Sequence, residues 1–367
     1  MLALMEATAA RALLARVPEL GAAQLTALIA AAGGEPGRAV EARTARAVEL
    51  PAAARGFLAA PDAAALAADL DWLAASGATI LLCTDAGYPA LLRQAPAAPA
   101  ALYVLGDAGV LSSPQLAMVG SRSPTPAGRA TAREFAAWFA RAGLTVTSGL
   151  AAGIDAASHE GALQARGLTV AVCGTGLDRV QPPEHAALAA RIAARGALVS
   201  EYPPRTVPQR EHFVRRNRII AGLALGTLVL EAARQSGSLL TARLAAEAGR
   251  EVFAIPGSIH SPLSRGPHQL LRDGAKLVEA AADVLAELNI PLMNEGLMEA
   301  PTALEKPPVL DKEYEMLLDA LGFEPATADT LVARTGLPGE SVASMLLILE
   351  LDGRVAALPG GRYGRTP

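Results

Sequence analysis

The sequence is poor in aromatic residues and in lysine. Aromatic side chains make up 4% of the 367 residues, and Lys276, Lys306 and Lys312 are the only lysines. Arginine therefore supplies nearly all of the positive charge, and a single arginine is weak support for a phosphate site because it can reflect codon usage. We count only arginines that cluster beside other features of a site.

The chain also lacks a disulfide framework and a membrane-spanning run. Its two cysteines, Cys83 and Cys173, lie inside apolar runs that are typical of core strands. The longest apolar run, Ile219 to Leu230, falls short of the roughly 20 residues that a membrane helix needs. The N-terminus lacks the charged and apolar regions of a signal peptide. These absences predict a globular protein of the cytoplasm with no membrane partner.

The net charge limits where nucleic acid could bind. A formal charge of −4 excludes a chain that is basic all over, so any such surface has to be a local patch. Hydrophobic residues make up 51% of the sequence, which is enough for a sizeable core. At this length we expect two or three domains.

Hydrophobic patterning divides most of the chain into three segments. Residues 1–70 are rich in Ala and Leu with helical periodicity, which predicts a plain helical bundle or a module of the SAM or helix-hairpin-helix kind. Residues 71–290 alternate short apolar runs with helical patterns, which predicts a doubly wound, mostly parallel α/β sheet. The Pro-punctuated residues 291–310 predict a linker.

The last segment, residues 311–367, has the pattern of a winged helix, with three helices and a hairpin that has Gly-Gly at its tip. Its third predicted helix carries Glu340, Glu350 and Asp352 and has neither Lys nor Arg. A helix that enters the major groove faces phosphates, so acidic residues there oppose duplex binding. We expect this domain to contact protein or to pack against the rest of the chain.

Gly/Ser-rich turns follow the predicted strands of the α/β segment, and such sheets bind ligands beyond the carboxyl ends of their strands. The first turn, Gly120, Ser121 and Arg122, offers close backbone approach, a hydroxyl and a bidentate guanidinium. The second, Ser148 and Gly149, offers backbone N–H groups to an anion. The first turn could equally be a strand-to-helix turn with a serine at the N-cap.

Asp155 and His159 follow the second turn and share one face of a predicted helix. The pair could be catalytic or half of a metal site, but no third ligand is near in sequence and HEGAL is not the HExxH zinc motif. We interpret Asp155 as a structural cap and His159 as a histidine whose hydrogen bonds are satisfied. No metal is predicted.

The third turn, CGTGLDRV, resembles a dinucleotide fingerprint only in part. Arg179 occupies the third glycine position, and the chain has no GxxxxGK[ST] phosphate loop. Nicotinamide-dependent chemistry and conventional ATP hydrolysis are therefore disfavoured, and no cofactor is predicted.

The fourth turn, Ser236, Gly237 and Ser238, precedes a helix whose free N–H groups would suit a phosphate. Glu231 ends the strand before it. The arginine-rich stretch HFVRRNRII lies on an adjacent connection. Several anion sites at the ends of neighbouring strands make a row, and a row of phosphate sites suits a polymer.

Seven stretches of the α/β segment occur together: VGSR, SGLAAGIDAASHEGAL, VAVCGTGLD, ALVSEYP, FVRRNRIIAGL, VLEAARQSGSLLTARLAAEAGREVFAIPG and LLRDGA. In this order and spacing, over roughly residues 78–290, the chain resembles the DprA (Smf) family of DNA-processing proteins. The resemblance implies a Rossmann-like domain that binds and protects single-stranded DNA during natural transformation. It also implies loading of a RecA-type recombinase, action as a homodimer, and no catalysis.

The resemblance further implies which residues hold the strand: Ser121, Arg122, Arg210, Phe213, Arg216, Asn217, Arg218, Gly237 and Ser238. The turns add Gly120, Ser148, Gly149 and Ser236. With so few aromatics, stacking can offer little beyond Phe213 and Tyr202, so we expect electrostatic binding that tolerates any sequence. One arginine of Arg216 and Arg218 is expected to brace the fold through Glu201 or Glu231 instead.

Two positions depart from the family pattern. QPPEH, which begins at Gln181, stands where the family usually has Tyr-Pro, and Val214 stands where it commonly has Pro. We expect these departures to change loop shape near the pocket and to leave the assignment intact.

Two rival functions are left open. Related Rossmann-like folds hydrolyse nucleoside monophosphates with Gly-rich turns and a glutamate placed much as Glu231 is here, but the chain lacks their Pro-Gly-Gly-x-Gly-Thr stretch. A transcription factor that acts through the winged helix is disfavoured by the acidic third helix.

Overall fold

The computed structural model describes residues 2–290, 312–322 and 325–365. The predicted linker, residues 291–310, lies outside the described residues. Within the described ranges, no helix combines the length and the apolar character that crossing a membrane requires.

Helices make up the N-terminal part of the chain, as the periodicity predicts. They are α1 (Leu2–Arg16), α2 (Ala22–Ala31), α3 (Pro36–Ala39), α4 (Ala42–Ala47), α5 (Ala52–Ala59) and α6 (Ala63–Ser76). The side chain of Asp62 caps α6 by accepting a hydrogen bond from the amide of Ala65 at 3.0 Å, and Gly77, with φ of 70°, ends it. Helix α6 therefore continues past the predicted boundary at residue 70.

A nine-stranded sheet forms the centre of the molecule. Its strands are β1 (Thr79–Leu82), β2 (Ala101–Gly106), β3 (Gln115–Val119), β4 (Thr145–Ser148), β5 (Thr169–Cys173), β6 (Ala197–Ser200), β7 (Gly226–Val229), β8 (Glu251–Ala254) and β9 (Lys276–Leu277). Their order is β1-β2-β6-β5-β4-β3-β7-β8-β9, and only the pairs β1·β2 and β2·β6 are antiparallel. The predicted doubly wound, mostly parallel sheet is confirmed.

Helices cover both faces of this sheet. They are α7 (Ala90–Gln94), α8 (Pro126–Arg141), α9 (Ile154–Gln164), α10 (Ala186–Arg195), α11 (Arg210–Arg215), α12 (Asn217–Leu223), α13 (Gly237–Glu247), α14 (Arg265–Arg272) and α15 (Ala281–Glu287). In β3, Leu116 and Met118 belong to one buried apolar cluster and Ala117 and Val119 to another. Successive side chains of a strand point to opposite faces, so a strand covered on both sides has to be apolar throughout.

The N-terminal helices share a core with the sheet. Leu14 of α1 and Leu28 of α2 belong to the same buried cluster as Leu102 of β2. Cys83 and Cys173 are both buried and free, as expected of small core residues. Whether the helices form a domain of their own stays a prediction.

The order of strands places a crevice beside β3. Strands β4 to β6 are added on one side of β3, and β7 to β9 on the other. The connections that leave the carboxyl ends of β3 and β7 therefore run to opposite faces and separate. In open α/β sheets, ligands bind at such a switch point.

The C-terminal part has the winged-helix arrangement that the sequence predicts. Its elements are α16 (Lys312–Leu321), β10 (Ala326–Thr327), α17 (Ala328–Thr335), α18 (Gly339–Leu351), β11 (Val355–Leu358) and β12 (Arg362–Arg365), and the strand order is β10-β12-β11. The third helix, α18, exposes Leu347 and Leu351 next to acidic side chains. This surface lacks the basic residues of a duplex reader, and its role in contacting protein stays a prediction.

Candidate nucleic-acid interface

A groove of about 850 Å³ opens beyond the carboxyl ends of β3 and β7. Four connections line it: the turn after β3, the turn from β4 into α9, the helices α11 and α12, and the turn before α13. The predicted residues that line it are Gly120, Ser121, Arg122, Arg210, Phe213, Arg216, Asn217, Ser236, Gly237 and Ser238. The fold thus brings most of the predicted set to one place, although the set is scattered along the chain.

The turn after β3 is fixed by its backbone and leaves one arginine exposed. The amide of Ser121 donates to the carbonyl of Glu231 at 2.6 Å, which ties this turn to the end of β7. A methyl group at Gly120 would lie 2.6 Å from Ile154 and 2.9 Å from the same carbonyl, so a larger residue does not fit. The exposed guanidinium of Arg122 has no ion-pair partner within the described part of the chain.

The turn before α13 exposes Gly237, whereas Ser236 is half-buried and Ser238 is buried. The Ser236 hydroxyl oxygen accepts from the amide of Ser238 at 3.3 Å and lies 2.7 Å from the Ser238 hydroxyl. A methyl group at Gly237 would meet nothing within 4 Å, so packing does not explain the glycine. The Asn217 side-chain amide donates to the Gly237 carbonyl at 3.4 Å and so joins this turn to α12. A ligand that approaches the Gly237 backbone closely would account for the missing side chain.

Helix α11 presents Arg210 and Phe213 to the groove. Arg210 is exposed and Phe213 is half-buried. The Phe213 ring lies against Gly174, where a methyl group would be 2.9 Å from a ring carbon. The guanidinium carbon of Arg216 lies over the same ring, 5.2 Å from the ring centroid, which is a cation–π distance. Phe213 is therefore held from two sides, and part of its side chain remains exposed.

Arg216 is a buried cation at the floor of the groove. It is only 5% exposed, and its Nη1 donates to the carbonyl of Val172 at 2.7 Å. Its Nε is buried without a hydrogen-bond partner among the described residues. Burial lowers the pKa of Arg216, and the nearby carboxylate of Asp155 opposes that shift.

Asp155 faces Arg216 across the second turn. Its Oδ2 accepts from the amides of Gly149 at 3.2 Å and Ala151 at 3.3 Å, so it caps this turn as the sequence predicts. Burial raises the pKa of Asp155, and the charge of Arg216 opposes the rise. A methyl group at Gly149 would lie 2.5 Å from Arg216 Nη2 and 2.8 Å from Asp155 Oδ2. Gly149 thus leaves room for the two charged groups.

Three residues of the predicted set do not line the groove: Ser148, Gly149 and Arg218. Ser148 is fully buried, and its hydroxyl donates to the carbonyl of Met118 at 2.6 Å. Arg218 donates to the carbonyl of Ala97 and pairs with Glu201 at 2.5 Å. Arg218 is therefore the expected brace. A contact of these three residues with DNA stays a prediction.

Glu231 does not pair with either arginine. Both of its carboxylate oxygens bind Thr125, the N-cap of α8: Oε2 accepts from the amide at 2.8 Å and Oε1 from the hydroxyl at 2.6 Å. Both oxygens of Glu231 thus take part in fixing the start of α8, which is a structural role.

His159 has a structural environment. It is fully buried, and its Nδ1 lies 2.6 Å from the hydroxyl of Thr169. Its Nε2 is buried without a hydrogen-bond partner among the described residues, so the prediction of a fully satisfied histidine is only partly correct. Burial lowers the pKa of His159 to about 3, so its ring is neutral at physiological pH. In the portion of the chain that the structure describes, no three His, Cys, Asp or Glu side chains are grouped so that they could hold a metal ion.

Sequence reasoning missed several polar residues that line the groove. Gln209 and Gln235 are exposed there, each directly beside a predicted residue, and Asp155 lines it although it was interpreted only as a cap. Their position next to Arg210 and Ser236 is the one signal that could have found the glutamines. Of the two departures from the family pattern, Val214 lines the groove, whereas Gln181 does not.

Two family models match the chain. The model described as DNA recombination-mediator protein A matches residues 79–289, and that of the DprA winged helix domain matches residues 300–361. The first match alone spans more than half of the chain. This chain belongs to the DprA/Smf family. The winged-helix match of this family begins inside the predicted linker.

Individual DprA/Smf proteins agree with this assignment. Protein Smf of Escherichia coli (strain K12) is 44% identical over 296 residues, which cover 80% of this chain and 79% of that protein. The X-ray structure of DprA from Streptococcus pneumoniae is 37% identical, with a TM-score of 0.65, and covers 75% of this chain and 95% of its own. DprA from Helicobacter pylori, a structure described in terms of its single-stranded DNA binding mode, is 28% identical, with a TM-score of 0.53, over 58% and 95% of the two chains. The predicted family and Rossmann-like fold are confirmed.

Proposed function

We propose that this chain binds single-stranded DNA in the groove beyond β3 and β7, mainly through phosphates and with little preference for sequence. One observation carries the proposal. Arg122, Arg210 and the turn from Ser236 to Ser238 come from three separate connections and line one groove. Membership of a family described as a DNA recombination mediator supports the same conclusion.

The charges of the groove favour a polyanion. The chain as a whole carries a formal charge of −4, yet the exposed ionisable groups that we place in the groove, Arg122 and Arg210, are both cationic. Two exposed guanidiniums beside a helix start can neutralise consecutive phosphates, and the release of counterions would drive binding. Asp155, the acidic residue of the lining, is buried against Arg216, which offsets its charge.

The same geometry favours a single strand over a duplex. Phe213 presents part of an aromatic ring inside the groove, and a ring can stack only on a base that is not already stacked and paired on both sides. Stacking accepts any base, and phosphate contacts carry no sequence information. Binding of single-stranded DNA by the Helicobacter pylori relative, which its structural description names, agrees with this choice.

The wider role follows from family membership. We propose that the bound strand is protected and passed to a RecA-type recombinase in transformation or recombination, that the chain acts as a homodimer in the cytoplasm, and that it catalyses no reaction. The proposed organisation is a helical module, an α/β domain that holds DNA, a linker and a winged helix.

The test is fluorescence anisotropy of a labelled oligo-dT with the wild type and with Arg122→Ala, over a range of salt concentrations and with a matching duplex as competitor. We expect tight single-strand binding, weak competition and affinity that falls steeply with salt, with a large loss in the variant. Binding that is flat with salt, or equal binding by the variant, would overturn the proposal. Delivery of a RecA-type recombinase to coated strands is the second step to measure.

A further inference from the structure

A buried carboxylate joins the N-terminal helices to the loop that leads into the groove. Asp69 of α6 is fully buried, and its carboxylate binds Arg16 at the end of α1. The same carboxylate accepts a hydrogen bond from Nη2 of Arg205 at 2.6 Å, and that nitrogen also donates to the carbonyl of Ala65 at 3.0 Å. Arg205 lies between β6 and α11, so the cluster ties together parts of the chain that are far apart in sequence.

The backbone around Arg205 is held at a second point. Its φ is 68°, in the left-handed region that residues with a side chain rarely adopt. Its amide donates to Oδ1 of Asp178 at 2.7 Å, and the next carbonyl, of Thr206, accepts from the amide of Gly176 at 3.2 Å. A conformation of this kind persists only where the surroundings impose it, and here the ion pair and the turn after β5 impose it together.

This loop ends directly at the groove. Pro208 and Gln209 line the groove, and α11 begins at Arg210, whose side chain we assign to a phosphate. Helix α11 has only six residues, so little of its own structure fixes its direction. The direction of α11 therefore depends on the segment that precedes it. Within that segment, Arg205 binds the N-terminal helices through Asp69.

We propose that Arg205 is a positioning residue of the DNA groove: its ion pair with Asp69 lets the N-terminal helices set the placement of Arg210 and Phe213. This inference rests on the proposed function of the groove. The N-terminal helices would then affect DNA binding through the loop that carries Arg205, without contacting the strand themselves.

The geometry separates this role from direct contact with DNA. Arg205 is not among the residues that line the groove, and its guanidinium is directed at α6. Removing it leaves Asp69 paired with Arg16, so the buried carboxylate keeps a counterion and the fold is expected to survive. Arg205→Ala is for this reason a cleaner change than any substitution of Asp69.

The experiment compares three variants in the oligo-dT anisotropy assay. Arg205→Ala is expected to bind about tenfold more weakly, because the cost of ordering Arg210 and Phe213 moves into the binding step. Arg205→Lys keeps a cation within reach of Asp69 and is expected to restore most of the affinity. Arg11→Ala is the matched control, since Arg11 also joins α1 to the α/β part, through Asp85, but does not touch the loop. It is expected to bind as the wild type does.

A double-variant cycle separates positioning from contact. If Arg205 acts through Arg210 and Phe213, its substitution has little further effect in a background that carries both Arg210→Ala and Phe213→Ala, whereas an independent phosphate contact of Arg205 gives additive losses. Additive losses would overturn the inference.

Hydrogen exchange on the protein without DNA supplies a readout that does not depend on the proposed function. The amides of residues 206, 207 and 209–213 are expected to exchange faster in Arg205→Ala than in the wild type or Arg11→Ala. A wild type that fails to bind oligo-dT overturns the proposed function. A wild type that binds, with an Arg205→Ala variant of equal affinity and unchanged exchange, overturns this inference instead.

Discussion

The carboxylate of Glu231 accepts both the amide and the hydroxyl hydrogen bonds of Thr125, at 2.8 and 2.6 Å. Glu231, two residues beyond the end of β7, thereby fixes the start of α8. Its carbonyl also accepts a hydrogen bond from the amide of Ser121, so the turn after β3 is held as well. A glutamate that could be mistaken for a catalytic base thus shapes the edge of the groove. We therefore expect a substitution of Glu231 to lower the free energy of unfolding and to have no effect on enzymatic turnover.

Glu231→Gln is expected to lower the free energy of unfolding by about 1–2 kcal/mol, because a charged acceptor of two hydrogen bonds at a helix start is replaced by a neutral one. Urea denaturation measures the change. Incubation of the wild type and the variant with nucleoside monophosphates is the companion assay, and we expect no hydrolysis by either. Turnover by the wild type that disappears in the variant would establish the enzymatic alternative.

Gly237→Ala is expected to separate binding from folding. A methyl group there meets nothing within 4 Å, and alanine favours a helix by roughly 0.5–1 kcal/mol over glycine, so stability should hold or rise. Affinity for oligo-dT should fall, because the methyl group keeps a phosphate away from the backbone amides. Unchanged affinity would show that the strand does not approach this turn. Titration and thermal unfolding on the same preparations measure both properties.

Gly149→Ala, unlike Gly237→Ala, is expected to destabilise the fold, with a loss of about 1–3 kcal/mol in the free energy of unfolding. The added methyl group would lie 2.5 Å from Arg216 Nη2, inside a buried site that cannot expand freely. Gly56→Ala in α5 is the matched control, since nothing lies within 4 Å of its new methyl group. Equal urea midpoints for the two variants would contradict the account of Gly149 as space for charged groups.

The arginines should differ in their salt dependence. For a single strand, each lost phosphate contact lowers the slope of log K against log salt by about 0.7. We expect this change for Arg122→Ala and for Arg210→Ala, with little effect on stability because both side chains are exposed. Arg218→Ala should leave the slope unchanged and lower stability instead, since its partner is Glu201. A reduced slope for Arg218→Ala would place that arginine on the DNA.

Stability should fall in mild acid because of His159. Its folded pKa of about 3 lies below the ordinary value of 6.5, so the unfolded chain binds more protons between these two values. The stabilisation is fully present above pH 6.5 and is lost as the pH falls towards 3, at up to about 1.4 kcal/mol per pH unit. Urea unfolding at pH 7.5 and pH 5.5 measures it. His159→Gln removes the titrating ring, and an equally steep loss in that variant would assign the effect to other groups.

The sequence predicts the sheet well because its signal is local. A run such as VAVC, residues 170–173, is apolar throughout and buried, which is what a strand covered on two faces requires. The turns that carry Arg122 and Gly237 were also predictable, because parallel strands deliver their carboxyl ends to one edge of a sheet. Local patterns and topology together therefore gave the position of the groove and most of its lining.

The different contacts of neighbouring arginines could not be predicted in the same way. Arg216 and Arg218 are separated by one residue, yet one lies under the groove and the other pairs with Glu201 and with the carbonyl of Ala97. Those partners come from distant parts of the chain, and no local pattern records them. The same holds for Arg205, whose partner Asp69 lies in another helical segment.

The strand order has a consequence for synthesis of the protein on the ribosome. Strand β3 pairs with β4, which follows it closely, but its other neighbour is β7, which emerges only after β4, β5 and β6. One wall of the groove therefore does not exist while the first half of the sheet is already forming. A nascent or prematurely terminated chain that ends before residue 226 carries Arg122 and Arg210 but lacks the turn before α13, so we expect the proposed DNA groove to be complete only after residues 236–238 have been synthesised.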